Sequence, residues 1–422
     1  MKYLLIIWAC LCTLFNLQAA EYSVVPKPLS VKETGKPAFV FTSRTVVYVT
    51  PASRQIGELW IQSVSRSLPF QLQLKEVSSV KGKNGIVFDL SKKNRSSEAY
   101  TLDVSDKRIV VRSEGLAGLF YGAQTLTQLM PPEVVGKEKL EGDITVPSLQ
   151  INDKPRFQWR GYMKDVSRTF YSVDVLKKYI DIMSLYKMNT LHLTDDQGWR
   201  VEIKKYPRLT SEKATHYPVQ FGQPEGRSGF YTQEELKDLV AYAAARHVQI
   251  VPEIDVPGHC WPVLINYPEL AVNDSFYPDY VMPFCETYHV WGHQFTPNTL
   301  DPSNEKVYQF LDDVFTEIAA IFPSEYIHFG GDEVRHILWE KNEHIQNFMK
   351  EKGMKNVMEL QSYFVTRVSA IIAGKGKKPI GWNDILADAG NLPENAHIMS
   401  WLGSSAVKDA AKYGFPTIAT PA

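Results

Sequence analysis

The rhythm of apolar and polar positions changes near residue 150. Before it, β-branched and aromatic runs at 39–50, 86–90, 100–104 and 108–112 read as strands. The last two predict a hairpin across Ser105-Asp-Lys107. Two segments instead repeat apolar residues at helical spacing. They are Ile56, Leu59, Trp60 and Val64, then Leu116, Leu119, Phe120, Ala123, Leu126 and Met130, with Pro131-Pro132 as the stop. These elements predict a small α+β domain over residues 21–152, ending in a polar connector at 133–153. No cluster of acids, histidines or glycines marks chemistry in it, so it reads as a support domain.

From 153 to 422 short apolar runs alternate with long amphipathic helices, the mark of repeated βα units around a parallel sheet. Strands are predicted at 160–165, 189–194, 248–254, 326–329, 378–382 and 396–401, and another begins at 417–420. Leu176, Ile180 and Met183 share one helix face behind Ser172 as N-cap. Thr232-Gln-Glu-Glu235 is a capping box ahead of Leu236, Leu239, Val240 and Ala243. Val307, Phe310, Leu311, Val314, Phe315, Ile318 and Phe322 form the cleanest apolar stripe. These stripes are core faces. Consecutive βα units without a glycine-rich phosphate loop after the first strand favour a (β/α)8 TIM-type barrel over a doubly wound sheet.

Composition narrows the partners more than the chemistry. Of 422 residues, 44% are apolar and 22% charged, with a net charge of -1, which gives no reason to expect nucleic acid or a membrane surface. Lys2, the apolar run 3–15 and the small residues ending at Ala20 predict a signal peptide over residues 1–20, hence export to a periplasmic or secreted destination with no transmembrane segment left. Lipid attachment at Cys10 is a lesser option, since Trp8 fits such a site badly. Cys260 and Cys285 remain afterwards; a disulfide and a pair of reduced thiols are both open.

The candidate chemistry lies just past the predicted strands. Tyr326-Ile-His-Phe-Gly-Gly-Asp-Glu-Val334 places two acids, Asp332 and Glu333, after a short buried strand. Neighbouring side chains on a pleated strand face opposite ways, so the two glycines are read as the point where the chain leaves the pleat. Adjacent carboxylates push their pKa values apart, leaving a proton donor beside an ionised partner. The plain alternative is a solvated loop whose acids cap the next helix. The other strand ends carry Asp165-Val-Ser-Arg168, Asp195-Asp-Gln-Gly-Trp199, Glu253-Ile-Asp-Val-Pro-Gly-His259, Trp382-Asn-Asp384 and Trp401. Singly, each of these has an ordinary structural reading. Jointly they converge on one rim, where barrels keep their sites.

Pro26-Lys-Pro28, Arg160-Gly161, Asp165-Val-Ser-Arg168, His192-Leu-Thr-Asp-Asp-Gln-Gly-Trp-Arg200, Pro252-Glu-Ile-Asp-Val-Pro-Gly-His259, His328-Phe-Gly-Gly-Asp-Glu333 and Gly381-Trp382 resemble glycoside hydrolase family 20, in the family's order. The resemblance runs from about residue 22 to the C-terminus and includes the small leading domain. It implies an exo-β-N-acetylhexosaminidase that releases terminal GlcNAc or GalNAc from glycans, with retention and with the substrate's own acetamide as nucleophile. It further implies that Asp332 orients the acetamide and Glu333 is the acid and base. Arg168 would hold sugar hydroxyls, Asp195 and His259 would support the acid, and Trp382 and Trp401 would wall the ring. No cofactor or metal is implied. Two departures matter: the second strand is two residues short, and the chain ends at Ala422 near the seventh strand. The family's later Tyr, Asp, Trp and Glu and an eighth strand have no counterpart, so an incomplete barrel and a truncated chain are expected. A catalytically impaired, sugar-binding or vestigial chain is the second reading. A metal-dependent hydrolase built on Asp255, His259 and His192 is a third.

Overall fold

The computed structural model describes residues 24–91, 97–136, 138–167, 169–194, 199–215, 228–272 and 299–420. The chain divides into two compact units, Met1–Gln158 with Ser184–Lys187, and Trp159–Met183 with Met188–Ala422.

The first unit is built on a mixed seven-stranded sheet of order β1-β9-β6-β7-β5-β3-β4. Its strands are β1 (Ser30–Glu33), β3 (Val46–Val49), β4 (Gln73–Glu76), β5 (Gly85–Leu90), β6 (Tyr100–Val104), β7 (Arg108–Ser113) and β9 (Leu149–Asp153). A separate two-stranded ribbon pairs β2 (Phe39–Val40) with β8 (Thr145–Val146). Helices α1 (Arg54–Val64) and α2 (Leu116–Leu129) contribute Trp60, Leu119, Phe120 and Leu126 to a core shared with Phe88, Leu102 and Val111. The predicted hairpin is present, β6 against β7. Two expectations are corrected. The run at 39–50 is two strands, because Thr45 turns the chain back with its amide on the Thr42 carbonyl at 2.9 Å and its hydroxyl accepting from the Thr42 amide at 2.9 Å. The segment 133–153 is not only a connector: β9 lies inside the sheet between β1 and β6, with Leu149 and Ile151 buried.

Among the described residues, the second unit is a run of seven parallel strands in chain order. They are β10 (Gly161–Asp165), β11 (Thr190–Thr194), β12 (Gln249–Pro252), β13 (Tyr326–His328), β14 (Lys378–Trp382), β15 (His397–Ser400) and β16 (Thr417–Ala419). Strands β10 to β12 form one ladder and β13 to β16 another; a parallel bridge between Glu253 and His328 joins them. Between the strands run α3 (Val173–Leu185), α4 (Gln233–Ala244), α5 (Glu305–Ile321), α6 (Val357–Gly374) and α7 (Ser404–Lys412). The expected capping box starts α4: Thr232 and Glu235 satisfy each other's backbone amides. Asn304 caps α5, whose stripe from Val307 to Ile318 is buried as its periodicity predicts. β11 is buried along its whole length, as a strand covered on both faces must be. β10 exposes its first three residues, and β16 none that is fully buried. Among the described residues nothing pairs β10 with β16, so this TIM-type barrel is not closed.

Candidate active site

The Gly-Gly turn that follows β13 is built by four hydrogen bonds. The Gly330 amide donates to His328 Nδ1 at 3.0 Å, and its carbonyl accepts from the Trp382 amide at 2.8 Å. The Gly331 amide donates to Asp255 Oδ1 at 3.0 Å, and its carbonyl accepts from Gln361 Nε2 at 3.0 Å. Both glycines have positive φ, +72° and +90°. A Cβ on Gly330 would lie 1.8 Å from Asp255 Oδ1, and one on Gly331 would lie 2.7 Å from Ile385. Side chains are therefore excluded at both positions by conformation and by space.

The turn does what strict pleating forbids. Asp332 and Glu333 both approach one nitrogen, His259 Nε2, at 3.8 and 3.5 Å. Glu333 itself adopts a left-handed backbone, φ +47°, as does His259 at +46°. Such strain at ordinary residues persists only where the surroundings enforce it. Asp332 is mostly covered and Glu333 is 40% exposed, so the pair grades from the interior toward solvent. Asp255 completes this group, a carboxylate oxygen of it lying within 4.8 Å of a ring nitrogen of His259 and a carboxylate oxygen of Asp332.

A second polar cluster is sealed. Glu253, fully buried, accepts from the Trp382 indole N–H at 2.7 Å and lies 2.8 Å from His192 Nε2 and 3.2 Å from His328 Nδ1. The Trp382 ring leans on both imidazoles, with centroids 5.6 and 4.6 Å away. Burial alone would raise the Glu253 carboxyl, but the two imidazoles outweigh it and hold it well below the usual carboxylate range. Burial lowers His328 against that pull. The three residues considered for a metal thus divide: His192 belongs with Glu253 and His328, whereas Asp255 and His259 belong with Asp332.

Trp382 is 7% exposed at the end of β14, and Trp401 is half-buried after β15. Asn383 and Asp384, directly after Trp382, hold Trp401. Asn383 Oδ1 accepts from the Trp401 amide at 2.9 Å, and Asp384 Oδ2 from its indole N–H at 2.9 Å. Arg168, Asp195 and Cys285 lie outside the described residues. The described residues of β11 keep unbroken register with both neighbours. Cys260 is buried, its Sγ 3.3 Å from the Pro257 carbonyl.

Sequence reasoning missed Gln361 and gave Glu253 no role of its own. Gln361 sits within the apolar stripe of α6 beside Leu360, Phe364 and Val365, and a polar residue inside such a stripe was the available signal. Glu253 carried none beyond its place at a strand end.

The comparisons agree on one family. The profile described as "Glycosyl hydrolase family 20, catalytic domain" matches residues 157–422, and "Glycosyl hydrolase family 20, domain 2" matches 21–154. A Porphyromonas gingivalis protein named beta-hexosaminidase is 35% identical, covering 98% of this chain and 53% of its own. A Vibrio furnissii beta-hexosaminidase is 32% identical over 96% of this chain and 63% of its own. The chain thus spans between half and two thirds of the length of these relatives. The structure of an exo-β-N-acetylglucosaminidase from Vibrio harveyi in complex with N-acetylglucosamine superposes with a TM-score of 0.78 at 30% identity, over 94% of this chain and 60% of that one. A β-N-acetylhexosaminidase from Streptomyces coelicolor gives 0.77 at 32%, over 94% and 74%. With the profile covering the whole second unit and the small leading domain matched as well, the chain belongs to glycosyl hydrolase family 20.

Proposed function

We propose that the chain is an exo-β-N-acetylhexosaminidase that removes terminal GlcNAc or GalNAc from glycans by a retaining, substrate-assisted route. The observation that carries this reading is the approach of both Asp332 and Glu333 to His259 Nε2 at the end of β13. In this reading the acetamido oxygen attacks the anomeric carbon as the glycosidic bond breaks, closing an oxazolinium ring. Asp332, the more buried acid, orients the acetamide and stabilises the positive charge that develops there. Glu333, the more exposed one, protonates the leaving oxygen and then takes a proton from the water that opens the ring. Glu333's exposure supports that role, because the leaving group and the incoming water both need access to it.

His259 sits between the two acids and, with Asp195, supports the proton donor. Trp401, fixed by Asn383 and Asp384, and Trp382, fixed by Glu253, form walls against the sugar ring. Arg168 holds sugar hydroxyls through its fork of donors. Export through a cleaved segment 1–20 belongs to the same proposal and is supported by the Lys2-led apolar run; a mature N-terminus near Glu21 on protein sequencing checks it. No helix among the described residues is long and apolar enough to cross a membrane.

The test is hydrolysis of a chromogenic GlcNAc glycoside by wild type and Glu333→Gln. Loss of about 10²–10⁴-fold in kcat/KM in the variant, the range carried by a general acid, supports the reading. Equal rates remove Glu333 from the chemistry. Sugar binding without turnover by the wild type favours a chain that binds but does not cleave.

A further inference from the structure

The turn presenting the two acids is pinned on both sides of Gly331, and only one of the two pins belongs to the acid and histidine cluster. Asp255, which holds the Gly331 amide, groups with His259 and Asp332. Gln361, which holds the Gly331 carbonyl, comes from α6 and belongs to no group of acids. Its amide is buried and used at both ends: Nε2 donates to Gly331 O at 3.0 Å, while Oε1 lies 2.8 Å from His336 Nε2. With Gln361 Oε1 as the acceptor, His336 carries its proton on Nε2. His336 is in turn packed on Trp339, with ring centroids 5.3 Å apart, and Trp339 is fully buried. A chain of contacts therefore runs from the core through His336 and Gln361 to the peptide that precedes Asp332.

We infer that Gln361, oriented by His336, is a positioning residue that holds Glu333 in its left-handed conformation; this rests on the proposed acid role of Glu333. The two acids depend on the clamp unequally. Asp332 is 13% exposed and is enclosed with Asp255 and His259. Glu333 is 40% exposed and sits at φ +47°, a conformation an ordinary residue leaves when its neighbours stop enforcing it. Freeing the Gly331 carbonyl therefore displaces the acid more than its aspartate neighbour.

Leaving-group chemistry separates these roles. A dinitrophenyl GlcNAc glycoside departs without protonation, whereas a phenyl glycoside needs the acid. Gln361→Met keeps the shape of the side chain and removes its donor. For this variant kcat/KM is expected to fall at least about tenfold more on the phenyl than on the dinitrophenyl substrate, a partial version of the loss a displaced general acid gives. His336→Phe, which keeps the ring on Trp339, falls in the same direction by less. Equal loss on both substrates, or no loss, overturns the inference. Glu333→Gln run alongside separates the two levels: if it shows no selective loss, the acid assignment fails. If it does and Gln361→Met does not, only the positioning role fails. Hydrogen exchange of segment 329–334 decides the point without turnover. Faster exchange in Gln361→Met than in wild type, at matched exchange of the β14 amides, is expected, and unchanged exchange contradicts it.

Discussion

Two acid and histidine clusters lie around β12 and β13, and they differ mainly in access to water. In the first, Glu253, His192 and His328 are no more than 4% exposed, and Glu253 accepts from the Trp382 indole between two close imidazoles. In the second, Asp332 and Glu333 share His259 while Glu333 stays 40% open. A buried carboxylate held by an indole N–H and flanked by two imidazoles is closed to water and to substrate. A carboxylate with a free approach can give and take protons. The residue types are nearly the same in both clusters, so it is enclosure that distinguishes them.

This contrast is broken most decisively at Glu333 and Asp332. Glu333→Gln is expected to cost the largest share of activity with the melting temperature almost unchanged. Asp332→Asn should lower kcat by about 10²–10³-fold, the cost of removing one preorganised charge-stabilising group; steady-state kinetics on an aryl GlcNAc substrate checks it. If either variant lowers the melting temperature while sparing turnover, the assignment of the open cluster to chemistry is wrong.

The sealed cluster should behave in the opposite way. In Glu253→Gln one carboxylate oxygen becomes an amide that cannot accept, leaving a buried donor unmet at a cost of about 1–3 kcal/mol. Thermal unfolding reads this, and the melting temperature should fall. Acid should expose the same cluster. His328 and Glu253 both have folded pKa values depressed below their ordinary 6.5 and 4.5, so the unfolded chain binds protons more readily than the folded one. Their stabilisation is present above those ordinary values and is lost as pH falls, from His328 first and from Glu253 further down. A melting temperature that falls with pH in wild type, with a weaker lower step in Glu253→Gln, is the expected pattern. Trp382→Phe removes the N–H that the charged Glu253 accepts along with part of the indole, and should cost a comparable amount, about 1.5–3 kcal/mol, again read by thermal unfolding.

Most of the barrel was legible because its inner strands, β11 to β15, are mostly buried and read as short apolar runs between amphipathic helices. The strands that escaped notice are edge or polar ones. Every residue of β1 is exposed, three of the four in β4 are exposed, and β9 alternates buried Leu149 and Ile151 with polar neighbours inside a segment that looks like a linker. At the site, Asp332 and Glu333 stood out because two adjacent acids behind two glycines are chemically unusual. Glu253 did not, because an acid at a strand end looks the same whether an indole and two imidazoles or solvent will surround it. That distinction is made by His192, His328 and Trp382, which come from three other strands. Gln361 was hidden for the same reason: its partners, Gly331 and His336, lie 30 and 25 residues away in the chain.

The claim beneath all of this is that the substrate supplies its own nucleophile while Asp332 steadies it. Comparing aryl glycosides whose N-acetyl group carries zero, one, two and three fluorines measures that directly, because each fluorine weakens the acetamido oxygen without touching the leaving group. Rates of kcat/KM that fall steadily along the series are predicted. Rates indifferent to fluorination would mean that another group attacks the anomeric carbon, and the account would be contradicted.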